Sequence, residues 1–102
     1  MEIKYNLGNY SREEAYEKID KFLDGLVSQH SDMISNPEKE WNAKKDNMKF
    51  SFKAKGYDIK GDISLQGKEL ILNGELPGIA TLFSGKIKKI INKNLDELFV
   101  KE

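Results

Sequence analysis

The chain has 102 residues, 38% hydrophobic and 33% charged, which allows one domain with one modest core. Lysine plus arginine and aspartate plus glutamate balance at 17 each, and Arg12 is the only arginine. Because neither a general positive field nor a set of guanidinium groups is available for phosphates, we expect no nucleic-acid partner. Cysteine is absent, which excludes disulfides, thiolate metal sites and a cysteine nucleophile.

A strand and an amphipathic helix are predicted first. Residues 2–7 alternate apolar and polar, which is typical of a strand with one buried face. Ser11 stands three residues before Glu14, a spacing that predicts a capping box at a helix start. Apolar residues at helical spacing continue the helix to near His30, and Gly25 falls on its solvent side. His30 is expected to have a structural or capping role, because no orienting acid or nucleophile is marked near it.

Residues 31–40 are predicted to be a connector, because Asn36-Pro37 is a turn signal and Pro37 interrupts a regular element. Trp41 is assigned to a short strand after it. A meander with one apolar and one charged face then follows, with hairpin loops at Lys55-Gly56 and Gln66-Gly67. Its inward positions are predicted to be Met48, Phe50, Phe52, Ala54, Tyr57, Ile59, Gly61, Ile63, Leu65, Leu70, Leu72, Gly74 and Leu76.

The last segment predicts a helix whose apolar face changes phase. Two apolar sets lie about a quarter turn apart on a helical wheel, namely Ile79, Leu82 and Phe83, and Ile87, Ile90, Ile91, Leu95 and Leu98. The change falls at Ser84-Gly85, a pair typical of kinks, so we expect a short turn at 79–83 and a main helix from about 86 to 100. With Phe99 included, the apolar arc is wider than packing on one sheet requires.

These elements predict a single α+β domain over residues 1–102. The expected architecture has two layers: an antiparallel meander sheet in the order β-α-β-β-β-β-α, two helices on one face, and a long kinked C-terminal helix, as in helix-grip proteins. The charged face, with Asp58, Asp62, Glu69 and Glu75, is expected to be solvated and not to hold a metal. No apolar run exceeds three residues, so we expect no transmembrane segment and a cytoplasmic location.

The order of several short motifs adds a family resemblance. They are Ile3-x-Tyr5, Glu14-Ala15, Trp41, Asp46-x-Met48-x-Phe50, Gly56-x-x-x-x-Gly61-x-Ile63, Leu76-Pro77 and Phe83-x-Gly85-Lys86-Ile87. In this order the chain resembles the putative polyhydroxyalkanoic acid system protein family, small proteins of the polyhydroxyalkanoate granule gene region. The resemblance spans nearly the whole chain and is weakest at 31–40. It implies proximity to granule or storage-polymer metabolism and brings no catalytic residues.

Three functional hypotheses remain open. The favoured one is a non-enzymatic association module, in which the wide apolar arc of the last helix binds a partner protein, a second copy as a homodimer, or an apolar polyhydroxyalkanoate-type granule surface. The alternative is a helix-grip binder of a small acyl or other hydrophobic ligand, with a cavity between Phe50, Phe52, Ile63 and the last helix. An enzyme acting on acyl intermediates would need converging polar groups, and Tyr57 is the only titratable inward residue of the main meander.

The candidate ligand-binding or partner-binding residues are Trp41, Phe50, Phe52, Phe83, Lys86, Leu95 and Phe99. Lys86, Lys89 and Lys93 form one stripe on the polar side of the last helix, for which solvation is favoured over contact with lipid headgroups. No residue is assigned to catalysis or to a metal, and no cofactor is expected.

Overall fold

In the computed structural model, which describes residues 1–75 and 84–99, the elements follow each other as β1 (Glu2–Asn6), α1 (Arg12–Asp20), α2 (Phe22–Gln29), β2 (Ile34–Trp41), β3 (Asn47–Ala54), β4 (Tyr57–Gln66), β5 (Glu69–Glu75) and α3 (Ser84–Leu98). The five strands form one antiparallel sheet in the order β1-β5-β4-β3-β2. The predicted α+β class, with a meander closed by a C-terminal helix, is confirmed. The turn predicted at 79–83, and with it the kink predicted at Ser84-Gly85, is not tested, because residues 76–83 lie outside the described residues; α3 is described over Ser84–Leu98.

One face of the sheet carries the core, because the strands alternate as their sequence predicts. Cross-strand partners on this face are buried together. Examples are the pair Phe52 and Ile59 and the pair Ile63 and Leu72. The helices cover this face: the ring of Phe22 in α2 lies 6.2 Å from that of Phe50 in β3. The opposite face, which carries the charged residues, is open, and we call it the open face.

The predicted first helix is divided into two. It begins as expected, since Ser11 Oγ accepts a hydrogen bond from Glu14 N at 3.1 Å and Glu14 Oε1 accepts one from Ser11 N at 3.0 Å. At Lys21 the backbone N–H donates to Lys18 O, an i to i−3 bond that tightens the chain and ends α1. Each of the two helices has its own buried apolar side, formed by Ala15 and Ile19 in α1 and by Phe22, Leu23 and Leu26 in α2.

The connector predicted at 31–40 is wrong, because most of it is the edge strand β2. Asn36 takes a φ of 53°, and the pairing with β3 shifts by one residue between Ser35 and Glu38, which is a β-bulge containing Pro37. At a sheet edge the missing N–H of proline disturbs no second ladder. The bulge also decides which side chains of β2 face the core. After it, Lys39 pairs with inward-facing Phe50, while Glu38 and Glu40 lie on the open face.

The two hairpin predictions have different outcomes. Lys55 and Gly56 take φ values of 52° and 85° and join Ala54 to its partner Tyr57, which confirms that turn. The second loop is Gly67-Lys68 and not Gln66-Gly67, because Gln66 still pairs with Glu69 in the β4–β5 ladder.

The position predicted for Gly25 on the solvent side is wrong. A Cβ at Gly25 would lie 2.8 Å from Nδ2 of Asn94, so the glycine lies at the contact between α2 and α3. At its C-terminal end α3 is continued by Phe99, whose ring lies 6.0 Å from that of Tyr5 and 5.4 Å from that of Tyr10. The apolar arc of α3 is therefore wide because it packs against α2 as well as against the sheet layer.

Candidate functional site

Four of the predicted binding residues lie in the core. Phe50, Phe52, Leu95 and Phe99 are 4%, 2%, 0% and 1% exposed, respectively. The Phe50 and Phe52 rings stack with centroids 6.0 Å apart, and Ile63 beside them is fully buried. In the described residues, the place where an acyl ligand was expected is occupied by these side chains. Phe83 lies outside the described residues.

Trp41 lies in a half-buried corner between β2 and α1. Its Nε1 donates to Asp20 Oδ1 at 3.0 Å, and its ring lies 4.6 Å from that of Tyr16. Lys39 Nζ lies 2.9 Å from the same carboxylate oxygen. The hydrogen bond from Lys39, helped by that from Trp41, lowers the pKa of Asp20 against the opposing effect of burial. This corner ties the end of α1 to the sheet edge, and sequence analysis missed it because the bulge in β2 was not predicted.

Lys86 lies on the outer side of α3 together with Lys89 and Lys93. All three are exposed, and they point away from the buried side formed by Ile87 and Ile91. We call these three residues the lysine stripe. Among residues 1–75 and 84–99, none of the three ammonium groups forms an ion pair.

The acidic residues nearest to the stripe along α3 have other partners. Asp96 Oδ1 accepts a hydrogen bond from Tyr5 Oη at 2.7 Å, and Glu97 Oε2 accepts one from Gln29 Nε2 at 2.6 Å. Burial, followed by the bond to Asp96, raises the pKa of Tyr5 to about 12. The phenol therefore stays protonated as a donor that fastens the end of α3 to β1.

The open face contains a groove of about 850 Å³ above the middle of the sheet. We call it the acidic groove, because carboxylates outnumber lysines among its charged side chains, which are those of Glu2, Glu38, Asp62, Glu75, Lys49 and Lys60. Beneath it, Gly61 pairs with Gly74, and a Cβ on Gly61 would collide with the carbonyl oxygen of Asn73. Only glycine permits this close backbone approach.

Comparison with known protein families matches residues 7–99 to the family described as Putative polyhydroxyalkanoic acid system protein. The chain belongs to this family. The resemblance noted from the short motifs is thereby confirmed. No curated protein and no solved structure matches the chain significantly.

The described surface of this polyhydroxyalkanoic acid system protein is rich in charged side chains. None of the described helices is long and apolar enough to cross a membrane. Within the described ranges, no group of three or more His, Asp or Glu side chains could hold a metal ion. Two surfaces of opposite charge stand out: the lysine stripe on α3 and the acidic groove on the open face.

Proposed function

We propose that this polyhydroxyalkanoic acid system protein is a non-enzymatic association module, which binds a partner protein, a second copy or a polyhydroxyalkanoate-type granule surface through the outer face of α3. The observation that carries the proposal is the lysine stripe. Its three ammonium groups are exposed on one helix face without a carboxylate partner in the described residues.

The stripe is not explained by the stability of α3. Lys86 lies in the first turn, where the helix dipole disfavours a cation by about 0.3–1 kcal/mol, while the last turn holds acids and no base. Lys86 and Lys89 are three residues apart and Lys89 and Lys93 four, so each pair adds a repulsion of about 0.2–0.5 kcal/mol. Within the isolated molecule, the three lysines therefore lower the stability of α3. An anionic surface that binds to them would offset this cost, and we take this as the reason for their arrangement.

The family context gives such a surface a chemical form. A polyhydroxyalkanoate is a polyester whose chains each end in one carboxylate, so a granule made of it would present an apolar surface with a few anionic chain ends. Ile90 is half-buried at the edge of the stripe, which places an apolar side chain beside the cations. In this proposal the protein acts in the cytoplasm, at the granule or on a protein attached to it.

The test is the location of a fluorescent fusion in cells that accumulate polyhydroxyalkanoate. The variant K86E/K89E/K93E reverses the stripe, and K21E/K44E/K68E makes the same charge change at exposed lysines elsewhere. We expect the wild type and the control to collect at granules and the stripe variant to spread through the cytoplasm. Equal granule enrichment of the stripe variant and the control, with both folded by circular dichroism, would contradict the proposal.

A further inference from the structure

We infer that the free edge of β1 pairs with β1 of a second copy of this chain, antiparallel and with Ile3 opposite Ile3 at the two-fold axis. This surface is distinct from the outer face of α3, so the pairing goes beyond the proposed function. Three features of the sheet edges support it: main-chain groups without a partner, the order of charges along β1, and a bulge that interrupts the opposite edge.

The outer edge of β1 carries main-chain groups that no described residue uses. On the inner edge, Met1 N donates to Gly74 O at 2.9 Å and Gly74 N donates to Met1 O at 2.7 Å. Along an antiparallel strand, every second residue directs its N–H and C=O to the same neighbour. Met1 and every second residue after it therefore bond to β5, whereas Glu2 and Lys4 direct their main-chain groups outward. Within the described ranges, these outward groups of Glu2 and Lys4 have no hydrogen-bond partner.

The charges of β1 select one register of pairing. Glu2 and Lys4 are exposed on the open face, and neither forms an ion pair among the described residues. With Ile3 opposite Ile3, Glu2 of each copy lies opposite Lys4 of the other, and each such pair exchanges two main-chain hydrogen bonds. A shift of two residues one way sets Glu2 against Glu2, and a shift the other way sets Lys4 against Lys4. Opposite charges across a strand pair stabilise it and like charges destabilise it, so the register centred on Ile3 is favoured.

The same register matches the side chains on the core side of β1. It places Met1 of each copy opposite Tyr5 of the other, and Ile3 opposite Ile3. Ile3 and Tyr5 are buried and Met1 is half-buried, so the paired side chains are apolar. Residues 1–5 thus read apolar, acidic, apolar, basic, apolar, a pattern that is complementary to itself when the second strand runs the other way.

The opposite edge of the sheet is closed to such pairing. In β2, Asn36 takes a φ of 53° and Pro37 lies in the bulge, which interrupts the row of outward groups. Bulges and prolines are means by which sheet edges avoid pairing with other chains. By contrast, β1 contains no proline and pairs with β5 without a register shift. The pairing therefore joins two copies at β1 and stops at a dimer.

The dimer places the two α3 helices on the same side. Antiparallel strands that keep their core sides together are related by a two-fold axis perpendicular to the sheet, which makes the contact isologous. The helices of both copies then cover the same face of one continuous sheet. If the lysine stripe binds a surface, as proposed above, two stripes on one side allow that surface to be bound at two points.

The experiment is sedimentation velocity of the purified protein over a range of concentrations. The wild type should pass from monomer to dimer and form nothing larger. Lys4→Glu and Glu2→Lys each set like charges opposite each other twice, so each should raise the dissociation constant by about tenfold or more. E2K/K4E restores opposite charges and should restore the dimer. The control Lys21→Glu, at an exposed lysine away from β1, should behave like the wild type.

Mixing the two single variants is the decisive measurement. In the mixture, both charged positions of one copy are basic and those of the other are acidic, so a one-to-one complex should form that neither variant forms alone. Amide hydrogen exchange at Lys4 should also slow as the wild-type concentration rises, because the pairing covers that N–H. These measurements are made on variants that are folded by circular dichroism.

A wild type that is monomeric at every concentration overturns the inference, as does E2K/K4E that associates no better than the single variants. Failure of the dimer and failure of the proposed function are distinguishable. If the wild type is monomeric while granule localisation still depends on the lysine stripe, only the pairing of β1 is refuted. If the dimer forms as described while the stripe variant localises like the wild type, the pairing stands and the proposed function is refuted.

Discussion

Gly25 and Asn94 offer a sharp test of the way α3 is packed. Replacing a glycine inside a helix with alanine ordinarily raises the free energy of unfolding by about 1 kcal/mol. Here the new Cβ would lie 2.8 Å from Asn94 Nδ2, and Asn94 is 3% exposed, so its side chain has little room to move. Overpacking of this kind costs about 1–3 kcal/mol. We therefore expect Gly25→Ala to leave stability unchanged or to lower it by up to about 2 kcal/mol.

The effect should reverse when Asn94 is shortened. In an Asn94→Ala background the obstructing amide is absent, so Gly25→Ala should raise the free energy of unfolding by about 1 kcal/mol. The four proteins of this double-mutant cycle, unfolded in urea and followed by circular dichroism, should show a coupling of about 1–3 kcal/mol. Ser28→Ala, at an exposed position of the same helix, is the matched control and should act equally in both backgrounds. A Gly25→Ala effect that is also equal in both backgrounds would refute the contact between α2 and α3.

Four further predictions use other parts of the structure. Asn94→Leu should raise the free energy of unfolding by about 1–3 kcal/mol in thermal or urea denaturation, because Asn94 Oδ1 is buried without a hydrogen-bond partner in the described residues. Tyr5 stabilises the fold below pH 10.0, its unfolded pKa, and this contribution should be lost as pH rises toward about 12. The difference between the ultraviolet titrations of wild type and Tyr5→Phe should show the Tyr5 phenol ionising late, and Asp96→Asn should move that ionisation earlier. Asp20, whose pKa is lowered, stabilises the fold above 3.8; the stability difference between wild type and Asp20→Asn should shrink as pH falls through the folded pKa. Lys86→Glu should raise stability by about 0.3–1 kcal/mol at low salt, because it reverses the unfavourable interaction with the helix dipole.

Each of these predictions has an outcome that would contradict it. An Asn94→Leu protein that is less stable than the wild type would contradict the first of these predictions. A Tyr5 phenol that ionises near 10.0 in the folded protein would contradict its burial and its bond to Asp96. A difference between wild type and Asp20→Asn that does not change with pH would contradict the ion pair with Lys39. A Lys86→Glu protein that unfolds more easily than the wild type would show that the lysine stabilises α3.

Local patterns predicted those parts of the fold in which one short-range rule decides the structure. The alternation from Met48 to Ala54 predicted the inward face of β3, and the Ser11 and Glu14 spacing predicted the helix start. The edge strand was missed because Asn36-Pro37 is a turn signal locally, whereas pairing with β3 accommodates it as a bulge. A tertiary contact thus overruled a local preference.

The candidate site was predicted only in part, for a related reason. The lysine stripe follows from helical spacing, and it is exposed as expected. Whether Phe99 is surplus apolar surface could not be known without Tyr5 and Tyr10, which are distant in sequence and lie against it in the fold. The acidic groove likewise brings together residues from all five strands, and no sequence window contains them.

The central claim is that charge on the outer face of α3 carries the association, and binding to isolated granules as a function of salt tests it most directly. The bound fraction of the wild type, measured by co-sedimentation, should fall steeply as sodium chloride is raised. The bound fraction of K86E/K89E/K93E should be low at every salt concentration, and that of K21E/K44E/K68E should follow the wild type. Binding that is independent of salt and equal for the stripe variant and the control would contradict the account.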